Sequence, residues 1–363
     1  MKRKLVLQDG RVWVGHGFGN TKDEAIAEIV FNTTMAGYQE ILSDPSYTDQ
    51  MICMTYPLVG NYGITDEDYE SKIVSPRGFI VREYNDKPSN FRYTKTLNEW
   101  LEENSIVGLT HVDTREITQT IRDEGSMIGL ICDEDTDIET AMKKLHDYPL
   151  PHDQVSKVSC RKVWYSRTRN PKYNVVAVDC GIKYNIIRQL NSRGCNVIVV
   201  PYNTPYEKIL HMNPDGVLLS NGPGDPEDVQ PVIELIQKLQ GTVPLFGICL
   251  GHQMIALANG LHTYKMKFGH RGGNHPVMNM DTGKIEITSQ NHSFAVKQDE
   301  HMDPKIRVTH INLLDRTVEG LAIDSDFCFS VQYHPESAPG PEDSSHLFSQ
   351  FIQNMNAFKG GAR

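Results

Sequence analysis

The 363-residue sequence predicts two α/β domains: a mixed N-terminal domain over residues 1–145 and a doubly wound C-terminal domain over residues 173–357, joined by a linker at 146–172. Length is the first reason, because one hydrophobic core seldom serves a chain of this size. The second is a change of pattern after residue 172, where short apolar runs begin to alternate with helical segments. The third is the segment between them, which has prolines and no clear periodicity.

The N-terminal domain shows a hairpin and two helices. In residues 5–19, β-prone residues flank Asp9-Gly10, which is a strong signal for a β-hairpin. Helical patterns occupy residues 97–103 and 114–123, and Gly125 is a plausible end for the second. Strands and helices are thus mixed in this part of the chain.

The C-terminal domain has the sequence pattern of a parallel sheet. Continuous apolar runs, as buried parallel strands require, occur at residues 175–178, 197–200, 216–219 and 243–246. Helical patterns fall between or after them, at residues 182–193, 227–239 and 250–259. Such an alternation with short connections predicts a doubly wound sheet, whose ligands bind beyond the carboxyl ends of the strands.

Composition argues against several kinds of partner and location. Lys and Arg number 36 against 46 Asp and Glu, a formal net charge of −10, so neither a nucleic-acid nor an anionic-membrane surface is expected. No apolar run has the length of a signal-peptide core or a membrane span. The seven cysteines form no Cys-x-x-Cys pair, so we expect no disulfide framework or structural zinc and a cytoplasmic location.

Cys249 is the predicted nucleophile. It lies at the centre of a Gly-x-Cys-x-Gly motif (residues 247–251) between a predicted strand and a predicted helix, the cysteine counterpart of the Gly-x-Ser-x-Gly elbow. A tight turn strains the backbone of the central residue, and side chains two positions to either side would collide. A helix N-terminus also favours the thiolate, by roughly 0.3–1 kcal/mol. The other cysteines are interpreted as small buried residues, although Cys180, which precedes Gly181 at a strand end, comes nearest to a second elbow.

His334 is the predicted base and Glu336 its orienting carboxylate. A thiol needs a nearby imidazole to be activated at neutral pH. A strand is predicted over residues 328–333, and alternate positions of an extended chain share a side, so the two side chains should meet. His252, one helical turn beyond Cys249, is expected to have a structural role. No metal-ligand spacing such as His-Glu-x-x-His occurs, so no metal is predicted.

These motifs resemble the class I glutamine amidotransferases. The resemblance covers residues 172–357 and includes Gly-Ile-Cys-Leu-Gly-His-Gln at 247–253, Ser-Asn-Gly-Pro-Gly-Asp-Pro at 220–226 and His-Pro-Glu at 334–336. It implies a flavodoxin-like fold and an oxyanion hole formed by the backbone N–H groups of Gly222 and Leu250. It also implies contacts to L-glutamine, at Gly222, Gly224, Leu250, Gln253, Asn291, Ser293 and Phe294. Ser293 departs from the pattern, because glycine is commoner there, and a positive φ would make serine costly.

The whole chain, and above all its first domain, is similar to a narrower family, the small subunits of carbamoyl phosphate synthases. The similarity runs nearly end to end and includes Gly37-Tyr38-Gln39-Glu40, Asp113-Thr114-Arg115-Glu116 and Phe268-Gly269-His270-Arg271-Gly272-Gly273. It implies that Ser46 of the first domain reaches the bound glutamine.

The resemblance implies a glutaminase that passes ammonia to a large synthetase subunit, which makes carbamoyl phosphate for arginine or pyrimidine synthesis. No Gly-x-x-x-x-Gly-Lys-[Ser/Thr] loop is present, so no cofactor is expected in this chain, and ATP and Mg²⁺ are expected on the partner. The first domain is the expected docking surface for that partner. Two alternatives stay open: a glutaminase that serves a different synthase, and a non-catalytic regulatory or scaffold subunit, against which the intact triad argues.

Overall fold

The computed structural model describes residues 1–298 and 302–361 and divides the chain into two compact units, with the boundary between Pro151 and His152. No helix among these residues is long and apolar enough to cross a membrane.

The first unit is built on a closed barrel of mixed parallel and antiparallel strands. Around the barrel the order is β1-β2-β8-β6-β4-β3-β9, and antiparallel pairing of β9 with β1 completes the ring. Strands β5 and β7 pair separately. The described strands are β1 (Lys2–Leu7), β2 (Val12–Gly19), β3 (Ala25–Asn32), β4 (Gln50–Met54), β5 (Leu58–Val59), β6 (Gly78–Ile80), β7 (Glu83–Tyr84), β8 (Val107–Thr110) and β9 (Met127–Asp133).

Local sequence signals of the first unit are confirmed. Strands β1 and β2 form the expected antiparallel hairpin, and Gly10 in its turn has a φ of 89°. The helices are α1 (Tyr38–Leu42), α2 (Leu97–Glu103), α3 (Thr114–Glu124) and α4 (Ile138–His146). A capping box between Thr96 and Glu99 starts α2, and Gly125, with a φ of 106°, ends α3. The closure of the barrel was not foreseen, because alternation along single strands does not reveal which strands pair.

The second unit is built on one large sheet, in the order β10-β12-β11-β13-β14-β19-β18-β16-β15-β17. The run from β12 to β19 is parallel, as predicted, whereas the strands after β19 are antiparallel. The described strands are β10 (Trp164–Ser166), β11 (Tyr173–Asp179), β12 (Cys195–Pro201), β13 (Gly216–Leu219), β14 (Leu245–Ile248), β15 (Thr263–Asn279), β16 (Ile285–Val296), β17 (Arg307–Asn312), β18 (Val318–Ile323) and β19 (Cys328–Val331).

Helices cover both faces of the parallel part, so the doubly wound prediction is confirmed. The helices are α5 (Gln154–Val158), α6 (Tyr184–Ser192), α7 (Tyr206–Leu210), α8 (Gln230–Leu239), α9 (Leu250–Ala258) and α10 (His346–Gly361). Alternate residues of β11 enter different cores: Val176 and Val178 pack with α8 and α9, and Val175 and Ala177 pack with α6 and α10.

Some boundaries differ from those expected. The segment 146–172, for which the sequence predicted a linker, carries α5 and β10, and β10 pairs antiparallel with β12. The strand expected at 243–246 is β14 at Leu245–Ile248, because Pro244 has no N–H to give to a ladder. The strand expected at 328–333 ends at Val331. The chain segments that follow β11, β13, β14 and β19 all leave the same end of the parallel sheet, where ligands of such folds bind.

Candidate active site

Cys249 sits in the tight turn between β14 and α9. Its φ and ψ are 54° and −102°, a combination that L-residues rarely adopt and that marks a strained position. Its N–H donates to the carbonyl of Val331 at 2.9 Å, which ties the turn to β19. The thiol donates to the carbonyl of Asn291, with 3.5 Å between sulfur and oxygen.

Both glycines of the elbow are required by close packing. A Cβ at position 247 would lie 2.8 Å from the backbone carbonyl of Gly251, and a Cβ at position 251 would lie 2.3 Å from the carbonyl oxygen of Leu219. Real Cβ contacts are not that short. The predicted steric reason for the Gly-x-Cys-x-Gly spacing is therefore confirmed.

His334 and Glu336 are in direct contact, but the backbone between them is not extended as predicted. Nδ1 of His334 donates to Oε1 of Glu336 at 2.7 Å. After β19 the chain makes a turn in which the N–H of Ser337 donates to the carbonyl of His334 at 3.2 Å. This turn, rather than strand alternation, brings the imidazole and the carboxylate together.

The charges of the site are strongly coupled. Burial alone would lower the pKa of the His334 ring, but the Glu336 carboxylate and the Cys249 sulfur raise that pKa to about 10. Burial alone would raise the pKa of the Glu336 carboxyl, but Lys183 and then His334 lower it to about 2. The histidine next to the sulfur therefore holds its proton at neutral pH, and the orienting group stays a carboxylate.

Lys183 is a site residue that the sequence reasoning missed. Its Nζ lies 2.9 Å from Oε1 of Glu336 and donates to the carbonyl of Ser337 at 2.6 Å, and both side chains of the ion pair are buried. The signal that could have found it is its position just after β11, at the carboxyl end of a parallel strand. It supplies a fixed positive charge that keeps Glu336 ionised in a dry environment.

Gln332 is a second residue that was missed. Its amide nitrogen lies 3.7 Å from the sulfur of Cys249, and its Oε1 accepts a hydrogen bond from the amide of Gln253 at 3.0 Å. It precedes His334 by two positions in the stretch that leaves β19, so the alternation argument applied to His334 would also have picked it out.

The remaining cysteines and His252 behave as structural groups. Burial raises the pKa of the other cysteine thiols, Cys53, Cys132, Cys160, Cys180, Cys195 and Cys328. Cys180 is fully buried and is thus no second nucleophile. Burial and then the charge of His310 lower the pKa of His252 to about 3, and its Nδ1 is paired with the hydroxyl of Ser330 at 2.8 Å.

The residues expected to form the oxyanion hole lie at two backbone turns. Leu250 is the first residue of α9, where backbone N–H groups have no intrahelical acceptor. Gly222 follows β13, and a Cβ there would lie 2.2 Å from the carbonyl oxygen of Cys180, so no side chain fits. Gly224 has a φ of 88°, a conformation natural to glycine.

The residues expected to hold glutamine from the β16 side form a connected set. The amide of Gln253 donates to the carbonyl of Phe294 at 2.8 Å, and the carbonyl of Asn291 accepts from the Cys249 thiol. Ser293 lies within β16 and its φ is not positive, so the strain considered for a serine at this position does not arise. Its hydroxyl accepts a hydrogen bond from the guanidinium of Arg271.

Ser46, the site residue expected from the first domain, belongs to the first unit. It lies in the short 3-10 helix Pro45–Tyr47, and its N–H donates to the carboxylate of Asp44 at 2.9 Å. Its contact with glutamine stays a prediction.

Family comparisons agree with this geometry. Residues 176–354 match the model described as Glutamine amidotransferase class-I, and residues 5–131 match the model of the Carbamoyl-phosphate synthase small chain, CPSase domain. The second unit, a doubly wound sheet with a cysteine elbow at the strand ends, is a class I glutamine amidotransferase domain of the flavodoxin-like fold.

Relatives extend the likeness over the whole chain. The carbamoyl phosphate synthase small chain of Bacillus caldolyticus is 52% identical, over 99% of this chain and 98% of its own. The pyrimidine-specific small chain of Bacillus subtilis (strain 168) is 50% identical, over 97% and 96%. A glutamine amidotransferase structure from Thermotoga maritima covers 52% of this chain and 85% of its own, at 16% identity and a TM-score of 0.38. The chain belongs to the carbamoyl phosphate synthase small-chain family.

Proposed function

We propose that this chain hydrolyses L-glutamine to glutamate and ammonia through a cysteinyl thioester and supplies the ammonia to a carbamoyl phosphate synthase large subunit. One observation carries the proposal. Cys249 lies on a strained turn at the start of a helix, and its sulfur helps to raise the pKa of the buried His334 ring, which Glu336 holds in orientation. Membership of the small-chain family supports the same reading.

The first step is addition of the Cys249 thiolate to the side-chain carbonyl carbon of glutamine. A new C–S bond forms and the π electrons of the C=O move to oxygen. The N–H groups of Gly222 and Leu250 are the proposed donors to that oxyanion. Loss of one such donor typically costs about 2.7–4 kcal/mol of transition-state stabilisation.

The second step expels ammonia and requires a proton. The imidazolium of His334, whose raised pKa keeps it protonated, gives that proton to the amide nitrogen as the C–N bond breaks. Ammonia leaves and an acyl thioester remains on Cys249. Neutral His334 is then the base for the next step.

Hydrolysis returns the site to its starting charge. His334 takes a proton from water while the water oxygen adds to the thioester carbon, and collapse of the adduct breaks the C–S bond. The Cys249 thiolate and the His334 imidazolium are restored, and the carboxylic acid of the product gives its proton to solvent. Throughout, Glu336 keeps one ring nitrogen occupied so that the other faces the reaction.

Glutamine is proposed to be held by Gln253, Asn291, Ser293 and Phe294, by backbone at Gly224, and by Ser46 of the first unit. The proposed partner binds ATP and Mg²⁺, and the proposed glutaminase steps in this chain use no cofactor. An enclosed route for ammonia to that partner has a chemical reason, because ammonia released into water becomes protonated and loses its nucleophilic lone pair.

Glutamate release from glutamine, measured with and without the large subunit, tests the assignment. Cys249→Ser is expected to abolish release, because an alcohol is a far weaker nucleophile than a thiolate. Cys180→Ser is the matched control, since it replaces a buried thiol at a neighbouring strand end, and it is expected to keep full activity. Equal rates in the wild type and in Cys249→Ser would contradict the proposal.

A further inference from the structure

Three antiparallel strands bring together two histidines and a glutamate that take no part in the triad. His270 of β15 and His292 of β16 are directly opposite in the ladder, with ring centroids 5.0 Å apart. Glu319 of β18 completes the group, with its Oε1 3.7 Å from Nδ1 of His270. One ligand atom from each residue lies within 4.8 Å of the other two, and the side chains are 5%, 5% and 0% exposed.

The outer nitrogens of both histidines are already held. Nε2 of His270 lies 2.9 Å from the carboxylate of Asp315, and Nδ1 of His292 donates to the carbonyl of Phe294 at 2.7 Å. A metal-bound histidine almost always gives its second N–H to a carboxylate or a backbone carbonyl, which fixes the ring and its tautomer. Both kinds of support are present here.

The inner nitrogens make no hydrogen bond in the described part of the chain, although Nδ1 of His270 lies 3.7 Å from Oε1 of Glu319. Nδ1 of His270 and Nε2 of His292 are buried, and neither makes a hydrogen bond to any residue within 1–298 or 302–361. A buried polar atom without a hydrogen bond is costly, so two in one cluster call for an explanation. A cation placed between them and Glu319 would satisfy both nitrogens at once.

We propose that His270, His292 and Glu319 form a zinc-binding site that links strands β15, β16 and β18. Two imidazole nitrogens and one carboxylate suit Zn²⁺, which binds them tetrahedrally and leaves a fourth position for water. Zinc bonds of about 2.0–2.1 Å set tetrahedral ligand atoms ~3.3 Å apart, so the three groups need to close by at most about 1.5 Å. The carboxylate of Asp315, 39% exposed, gives the ion a route from solvent.

The sequence could not have indicated this site. Its ligands are 22 and 27 residues apart, on three different strands, and no short spacing links them. The zinc site lies beside Asn291 and Ser293, which flank His292 in β16. Its proposed role is therefore to hold that strand in register. The three ligand side chains take no part in the proposed glutaminase steps, and the test does not depend on activity.

Zinc affinity of the full-length chain provides the test. Chelator-treated protein is titrated with Zn²⁺ against a competing chelator, and one ion per chain is expected. Asp315→Asn, which removes the support of His270, is expected to weaken binding by about 10–100-fold. Glu319→Gln removes a ligand and is expected to weaken binding by at least as much. Cys249→Ala, which removes the thiolate, and His152→Gln, which removes an exposed histidine, are the controls and should bind zinc as the wild type does.

A second measurement on the unaltered chain guards against variants that fail to fold. Co²⁺ in place of zinc should give the visible d–d absorption of a tetrahedral site with no thiolate charge-transfer band. The proposal is overturned if the wild type binds no Zn²⁺ in the competition titration, if Glu319→Gln binds as tightly as the wild type, or if the cobalt spectrum shows a thiolate ligand. In the first case the cluster is a hydrogen-bonded ion-pair network only.

Discussion

Lys183 and Glu336 form a buried ion pair, with Nζ and Oε1 2.9 Å apart and side-chain exposures of 3% and 0%. The same carboxylate oxygen accepts a hydrogen bond from Nδ1 of His334. One oxygen atom therefore joins a permanent cation to the imidazole of the triad. The ion pair fixes both the position and the charge of the group that orients the base.

Removal of the lysine charge is expected to destabilise the fold. Lys183→Met removes the fixed cation paired with the buried Glu336 carboxylate, and loss of one partner of a buried ion pair typically costs about 3–5 kcal/mol. The free energy of unfolding from urea titrations measures this loss. The double variant Lys183→Met with Glu336→Gln should recover part of the loss, because no lone charge then remains buried.

A matched control is the exposed pair Lys157–Asp153, whose atoms are 2.7 Å apart. Lys157→Met should change the free energy of unfolding by no more than about 0.5 kcal/mol, since water already solvates both groups. If Lys183→Met and Lys157→Met proved equally mild, the buried pair would have no structural importance.

Gln332 is expected to influence both the sulfur and the glutamine contact. Gln332→Leu removes the acceptor of Gln253 and a polar neighbour of Cys249, and one net hydrogen bond of about 1–1.5 kcal/mol corresponds to a fall in kcat/KM of about 5–10-fold. Gln332→Glu keeps the acceptor but places a carboxylate beside the thiolate, so its kcat should fall further. Steady-state glutaminase kinetics distinguish the two variants. A fully active Gln332→Glu variant would refute this role.

Gly251 is expected to tolerate no side chain. In Gly251→Ala the new Cβ would lie 2.3 Å from the backbone oxygen of Leu219, so the elbow must shift. Overpacking of this kind costs about 1–3 kcal/mol and should also lower activity severely. The control Gly360→Ala lies in α10 with open space around it and should stabilise the chain by about 0.5–1 kcal/mol. The thermal unfolding temperatures of the two variants should thus shift in opposite directions.

The free energy of unfolding should depend on pH through the titration of His334. Its pKa is about 10 in the folded chain and about 6.5 in the unfolded chain, so the folded state binds the proton more tightly. The resulting stabilisation is complete below about pH 6.5 and is lost as pH rises through about 10. The advantage of the wild type over His334→Asn, measured by urea unfolding, should therefore shrink across this window. A constant difference would show that the histidine is not held protonated.

The elbow was predictable from sequence because its requirements are local. A strand, a helix and two glycines around Cys249 lie within one short stretch, and the steric contacts of Gly247 and Gly251 are those that the motif implies. The parallel strands were predictable for a similar reason, since burial on both faces demands continuous apolar runs.

Contacts between distant segments were not predictable in this way. Lys183 reaches Glu336 across 153 positions, and His270, His292 and Glu319 meet only because β15, β16 and β18 are neighbours in the sheet. The turn at residues 334–337 was also missed, because alternation of residues describes an extended chain and does not say where the chain bends. Pairing partners and bends depend on tertiary structure, which a single sequence does not display.

The ring closure of the first unit limits how another protein could be recognised there. Since β9 hydrogen-bonds to β1, the barrel offers no edge strand whose free N–H and C=O groups could accept an added strand. Recognition at the barrel must therefore rely on side chains and connecting loops. Binding through side chains is more sensitive to substitution than binding through a backbone ladder. Point changes on that surface, rather than changes in strand register, would therefore alter which proteins bind there.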